Sequence, residues 1–156
     1  MELAELFAGR EAMIKEMQAR LHRLAEIEGV PLAERSRTCN SRRAQELGKW
    51  AEAMGKGDAF RKAVYGAYFV GGRNIAKVDE LVRIVETIGL PGDKALAALA
   101  EGSFASAVDA DWQRARELGV DAVPTHLCAG KRLVGFAPYE DFERLIERDN
   151  KTPVSR

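Results

Sequence analysis

The sequence predicts an α/β protein with the order helix, strand, five helices, hairpin, helix. Three observations lead there. Apolar residues recur at three- and four-residue steps through most of the chain, which is the spacing of one helical face. Glycines punctuate these stretches, and a glycine ends a helix readily by taking the left-handed conformation. Toward the C-terminus the period changes. Gly119-Val120-Asp121-Ala122-Val123-Pro124 leads into the apolar run Thr125-His126-Leu127-Cys128, which is too short for a helix and opens on a proline.

Residues 2–28 read as one amphipathic helix. Leu3, Leu6, Phe7, Met13, Ile14, Met17, Leu21, Leu24 and Ile27 share a face, Gly9 and Arg10 are a point of interruption, and Gly29 is the stop. Val30 to Arg35 is an extended run, and Pro31 places it at a strand start or a sheet edge. Asn40-Ser41 offers a cap for a helix over Arg42 to Met54. Gly55 to Asp58 is a turn, with Asp58 capping a helix that runs to Phe69 and ends at Gly71-Gly72. Further helices are expected over Val78 to Ile88, from Pro91 to Ala100, and from Ser103 or its successor to Leu118. Thr125 to Cys128 and Leu133 to Phe136 form a hairpin around Ala129-Gly130-Lys131-Arg132. Ala137-Pro138 opens the last helix, which is expected to reach Arg148.

The 156 residues suffice for one domain with a real core, and 46% apolar with 31% charged is the balance of a soluble globular chain. Lys plus Arg equals Asp plus Glu, at 24 each. No charge excess recruits nucleic acid or anionic lipid. The longest nearly uncharged run, Ala63 to Gly72, cannot cross a bilayer. The start, Met1-Glu2-Leu3-Ala4-Glu5, lacks the basic and apolar regions of a secretion signal, so a cytoplasmic protein is expected.

The two cysteines, Cys39 and Cys128, form neither a Cys-x-x-Cys pair nor a zinc-ligand cluster. The two histidines have no metal-ligand spacing either, so no metal is expected. Cys39 precedes a capped helix whose amides can favour a thiolate, which makes it a candidate lone catalytic thiol. The alternative is a small packing residue in a loop. Cys128 reads as a core cysteine. Arg35, Arg37, Arg42 and Arg43 cluster around Cys39 and either hold a carboxylate, favour the thiolate of Cys39, or form a solvated stretch. Val123-Pro124, read from the residues, opens an edge strand. His126 alternates with its neighbours on a strand and reads as structural. Trp50, Tyr65, Tyr68, Phe69 and Trp112 fall on helices, mostly as core.

An ordered set of segments then adds a resemblance. It comprises Asn40-Ser41 and the helix they cap, and Phe60-Arg61-Lys62-Ala63-Val64-Tyr65-Gly66-Ala67-Tyr68-Phe69 followed by Gly72-Arg73-Asn74-Ile75. It continues with Ala115-Arg116-Glu117-Leu118-Gly119-Val120 and Val123-Pro124, and ends with Gly135, Pro138 and the last helix. In that order these segments resemble the disulfide-bond protein A (DsbA) family. The likeness is to its FrnE-type branch, which lies near the 2-hydroxychromene-2-carboxylate isomerases and kappa-class glutathione transferases. The resemblance implies a thioredoxin-like sheet built from residues 1–40 and 103–150, a helical insertion over 41–102 and a polar tail at 151–156. It implies oxidation, reduction or isomerisation of protein disulfides, with a cis Val123-Pro124 bond whose backbone pairs with a substrate peptide. The alternatives are a catalytically inactive peptide-binding module and a glutathione-linked isomerase or transferase, with glutathione the one cofactor considered.

The family's first strand and its Cys-x-x-Cys motif have no counterpart in this sequence. Buried unpaired backbone groups cost about 1–3 kcal/mol each. A sheet short of a central strand is therefore expected to seal its edge, as a homodimer or with another partner. The alternatives are that the second strand pairs directly with the hairpin, or that the chain is a fragment of a longer gene product, where a Cys-x-x-Cys ahead of Met1 restores the enzyme reading.

Overall fold

The computed structural model describes residues 8–147. They divide into two compact units, with the division between Asp109 and Ala110. Seven α-helices and two strands occur among the described residues.

The first unit is helical. Helix α1 spans Glu11–Ile27. Gly9 and Arg10 lie ahead of this helix, and residues 2–7 of the expected helix lie outside the described residues. The Gly9 N–H donates to Glu11 Oε1 at 2.9 Å, and this bond holds the Glu11 carboxyl below its usual range.

Helix α2 spans Arg42–Ala53 and buries Ala44, Leu47, Trp50 and Ala51 on one face. Its start is fixed by Asn40, whose Oδ1 accepts from the Arg42 N–H at 2.9 Å. Ser41 instead accepts from Gln45 Nε2 through Oγ, also at 2.9 Å. Helix α3 spans Gly57–Tyr65. Asp58 does not cap it. That carboxylate sits inside the first turn and pairs with Arg61 at 2.7 Å. A π-helical turn, Gly66–Val70, extends α3 and leaves the Phe69 carbonyl available. The Ala33 N–H donates to that carbonyl at 2.8 Å.

This bond corrects the strand expected over Val30 to Arg35. The segment is extended coil in which the Ala33 N–H bonds to a helix end, and a bridge occurs beyond it at Arg37. Helices α4, Val78–Thr87, and α5, Gly92–Glu101, complete the packing with Leu81, Ile84, Val85 and Ala95. One apolar cluster joins α2, α3, α4 and α5 around Leu47, Phe60, Leu81 and Val85, and Cys39 packs at its border. Helix α6, Ala105–Glu117, adds buried Val108.

The second unit carries the sheet. Gly119, at φ +66, ends α6 in the left-handed region that glycine favours. Strands β1, Thr125–Cys128, and β2, Lys131–Val134, pair antiparallel, with Thr125 opposite Val134 and Cys128 opposite Lys131. The second strand therefore starts two residues earlier than the sequence pattern suggested. Ala129 and Gly130 alone make the turn, at φ +47 and +76, because a two-residue hairpin loop needs positive φ at both positions. Helix α7, Tyr139–Glu147, packs on β2. The expected helix end at Arg148 and the polar tail lie outside the described residues.

Candidate functional site

In the first unit the chain between α1 and α2 and the chain after the π-helical turn enclose a cleft of about 510 Å³. One wall is residues 34–39, and the other is Tyr68, Gly72, Arg73 and Asn74. Cys39 lies on the first wall as a half-buried free thiol. It precedes α2, and the first α2 amide is already taken by Asn40.

The basic cluster separates into two roles. Arg35 lies over the Tyr68 ring at 4.7 Å and the Phe69 ring at 5.0 Å, and Phe69 meets Tyr68 edge-on at 4.9 Å. Arg42 belongs to a structural network. Its Nε reaches Glu46 Oε1 at 2.7 Å, its Nη2 donates to the Ala105 carbonyl at 2.8 Å, and its Nη1 pairs with Asp109. These contacts, Asp109 first and then Glu46, raise the Arg42 guanidinium further above its ordinary range, so it stays charged at any working pH.

The cleft also recruits residues that the sequence reading did not single out as site residues. Arg73 is held by Glu80, a carboxylate only 8% exposed. Glu80 also accepts from Arg83 Nη1 at 3.2 Å. Asn74 Oδ1 accepts from the Ala76 N–H at 3.0 Å, which fixes the carboxamide at the rim. The sequence signal was there in Gly71-Gly72-Arg73-Asn74, a turn directly after an aromatic helix end.

In the second unit the Val123–Pro124 peptide bond is cis. The Pro124 carbonyl accepts from the Gly135 N–H at 2.8 Å, and Thr125 Oγ1 donates to the Ala122 carbonyl at 2.6 Å. Between these two anchored points Val123 is 87% exposed. Neither its N–H nor its C=O has a hydrogen-bond partner among the described residues. His126 packs edge-on against Phe142 of α7, with ring centroids 4.7 Å apart. Alternation places Cys128 on the same sheet face as His126.

The DSBA-like thioredoxin domain family matches residues 4–147. A probable DsbA oxidoreductase from Streptomyces coelicolor superposes with a TM-score of 0.83 at 23% identity, covering 100% of this chain and 71% of that one. A 2-hydroxychromene-2-carboxylate isomerase superposes with a TM-score of 0.73 at 20% identity, covering 90% and 66%. Both likenesses establish the fold and leave the chemistry open. The uncharacterized protein YwbO of Bacillus subtilis (strain 168) is 27% identical over 103 residues, which is 65% of this chain and 52% of that protein. The match thus spans about half the length of this curated relative. Among the described residues, no helix is long and apolar enough to cross a membrane.

Proposed function

Because the chain belongs to the DSBA-like thioredoxin domain family, we propose that it acts on protein or peptide thiols and disulfides as a thiol–disulfide oxidoreductase. The Val123 peptide unit carries this reading: it is exposed, its N–H and C=O have no partner among the described residues, and it is held between two anchored neighbours. An extended peptide satisfies such a unit through main-chain hydrogen bonds, as a strand adds to an open edge. Cys39 is proposed as the thiol this chain contributes, with an external thiol such as glutathione completing each exchange. Because the match spans about half of the curated relative's length, the activity of the whole protein is part of the proposal.

Titrating the isotope-labelled chain with an extended, disulfide-bearing peptide tests the docking step. The Val123 amide resonance is expected to shift and saturate with the peptide. Saturable shifts elsewhere with Val123 unmoved overturn it.

A second reading is a peptide-binding module without catalysis. It is favoured by the presence of only two cysteines in the sequence, far apart along the chain and each half-buried. Exchange rates of a Cys39 variant separate the two readings.

The partner proposal is a second copy of this chain. An isolated two-stranded hairpin is marginal in water, and β1–β2 has no third strand among the described residues. Sedimentation velocity at micromolar concentration is expected to show a dimer, and a stable monomer overturns it. A cytoplasmic setting, where thiols are kept reduced, suits the two free cysteines.

A further inference from the structure

The cleft beside Cys39 is lined by Arg35, Arg37 and Arg73 and by one glutamate, Glu34. Arg37 has interactions of its own. Arg73 is already compensated by the buried Glu80 carboxylate. Arg35 is half-buried, and no described carboxylate lies within ion-pair distance of it. A half-buried guanidinium without a counter-ion has lost hydration that an anion can repay. Its contacts with Tyr68 and Phe69 restrain the plane while leaving N–H donors at its rim. Asn74 adds a second fixed donor. Its Oδ1 is taken by the Ala76 N–H, so its NH₂ is the group left to donate.

We propose that this cleft binds a carboxylate-bearing ligand, with the Arg35 guanidinium as the bidentate anchor and the Asn74 carboxamide N–H as the second donor. A planar carboxylate matches the two parallel N–H bonds of a guanidinium fork. The volume, about 510 Å³, is that of a small-molecule site. The inference stands on the first unit alone and does not require thiol exchange.

The test is calorimetric titration of the full chain with three probes: citrate, an acetylated Asp-Glu tetrapeptide and inorganic phosphate. At least one carboxylate probe is expected to bind more tightly than phosphate. Citrate and the tetrapeptide distinguish a free acid from an acidic peptide as the source of the carboxylate. Arg35→Gln is expected to weaken that binding about tenfold or more, the loss of a charge-assisted hydrogen-bonded pair. Arg35→Lys keeps the charge without the fork and is expected to fall between. Asn74→Asp retains the Oδ1 acceptor, adds a negative charge at the exposed rim and leaves Arg35 packed, so it is expected to weaken binding even if the Arg35 variants fold poorly. The proposal is overturned if neither carboxylate probe binds, if phosphate binds most tightly, or if folded Arg35→Gln and Asn74→Asp chains bind as the wild type does. The readout is binding alone, so its failure is distinct from a failure of the exchange reaction.

Discussion

Replacing Phe60 by alanine lowers the free energy of unfolding by about 3–5 kcal/mol, the usual cost of deleting a buried ring. Phe60 is 2% exposed and sits in the cluster that joins α2, α3, α4 and α5. Its ring covers Gly48 on α2, with Cδ1 and Cε1 each 3.9 Å from where a Cβ at that glycine would stand. Removing the ring takes apolar area out of the folded state and leaves a cavity, because helices packed through Leu47, Leu81 and Val85 cannot all close over one gap. Total stabilities of about 5–15 kcal/mol make this loss a large share of the whole. Tyr65 on the same helix is the internal control. It is 57% exposed, so Tyr65→Ala is expected to cost about 0.5 kcal/mol or less. Urea denaturation followed by circular dichroism reads both. Equal midpoint shifts for the two variants contradict the assignment of Phe60 to the core.

The helical part of this arrangement was legible because its signals are local. Leu47, Trp50 and Ala51 repeat at helical steps, and Gly55, Gly89 and Gly119 stand where helices end. Val120 to Pro124 was legible as the opening of a strand for the same reason. The failures come from partners distant in sequence or hidden in a turn. Val30 to Arg35 is extended, as its composition suggests, but a strand is defined by what it pairs with. Ala33 finds the Phe69 carbonyl, which is exposed by a π-helical turn that no residue type announces. Asp58 has a capping side chain, yet the i,i+3 attraction of Arg61 draws it into the first turn. The hairpin tightened to Ala129-Gly130 although alanine disfavours positive φ, since cross-strand pairing of Cys128 with Lys131 outweighs one strained residue. The cleft was half legible. Arg35, Arg37 and Cys39 are neighbours in sequence, whereas Arg73 and Asn74 arrive only through the packing of α3. Arg42, equally basic on paper, is held by Asp109 and Glu46.

If Cys39 is the thiol of the proposed exchange, Cys39→Ser is expected to abolish exchange with peptide disulfides and to leave peptide binding at Val123 intact. In the proposed exchange, the Cys39 thiolate attacks one sulfur of the target disulfide. That S–S bond breaks, a mixed disulfide forms at Cys39, and the other sulfur leaves as a thiolate that takes up a proton. No second cysteine is near Cys39 in this sequence, so in the proposal an external thiol attacks the mixed disulfide. That attack returns the Cys39 thiolate and leaves a disulfide between the external thiol and the peptide sulfur that Cys39 had held; a second external thiol then frees the peptide thiol and forms the disulfide of the two external thiols. Serine is nearly isosteric, so the half-buried position at the border of the apolar cluster stays filled, but its hydroxyl cannot form the sulfur bond. Insulin reduction with glutathione as the external thiol is expected to fall to the uncatalysed background in Cys39→Ser and to persist in Cys128→Ser. Mass spectrometry after incubation with glutathione disulfide is expected to find one glutathione adduct on the Cys128→Ser chain and none at residue 39 of the Cys39→Ser chain. If neither variant changes a rate that is already at background, while the Val123 resonance still responds to peptide, the chain binds without catalysing. The module reading then replaces the exchange reading, because docking needs only the main chain around Pro124 and exchange needs the sulfur.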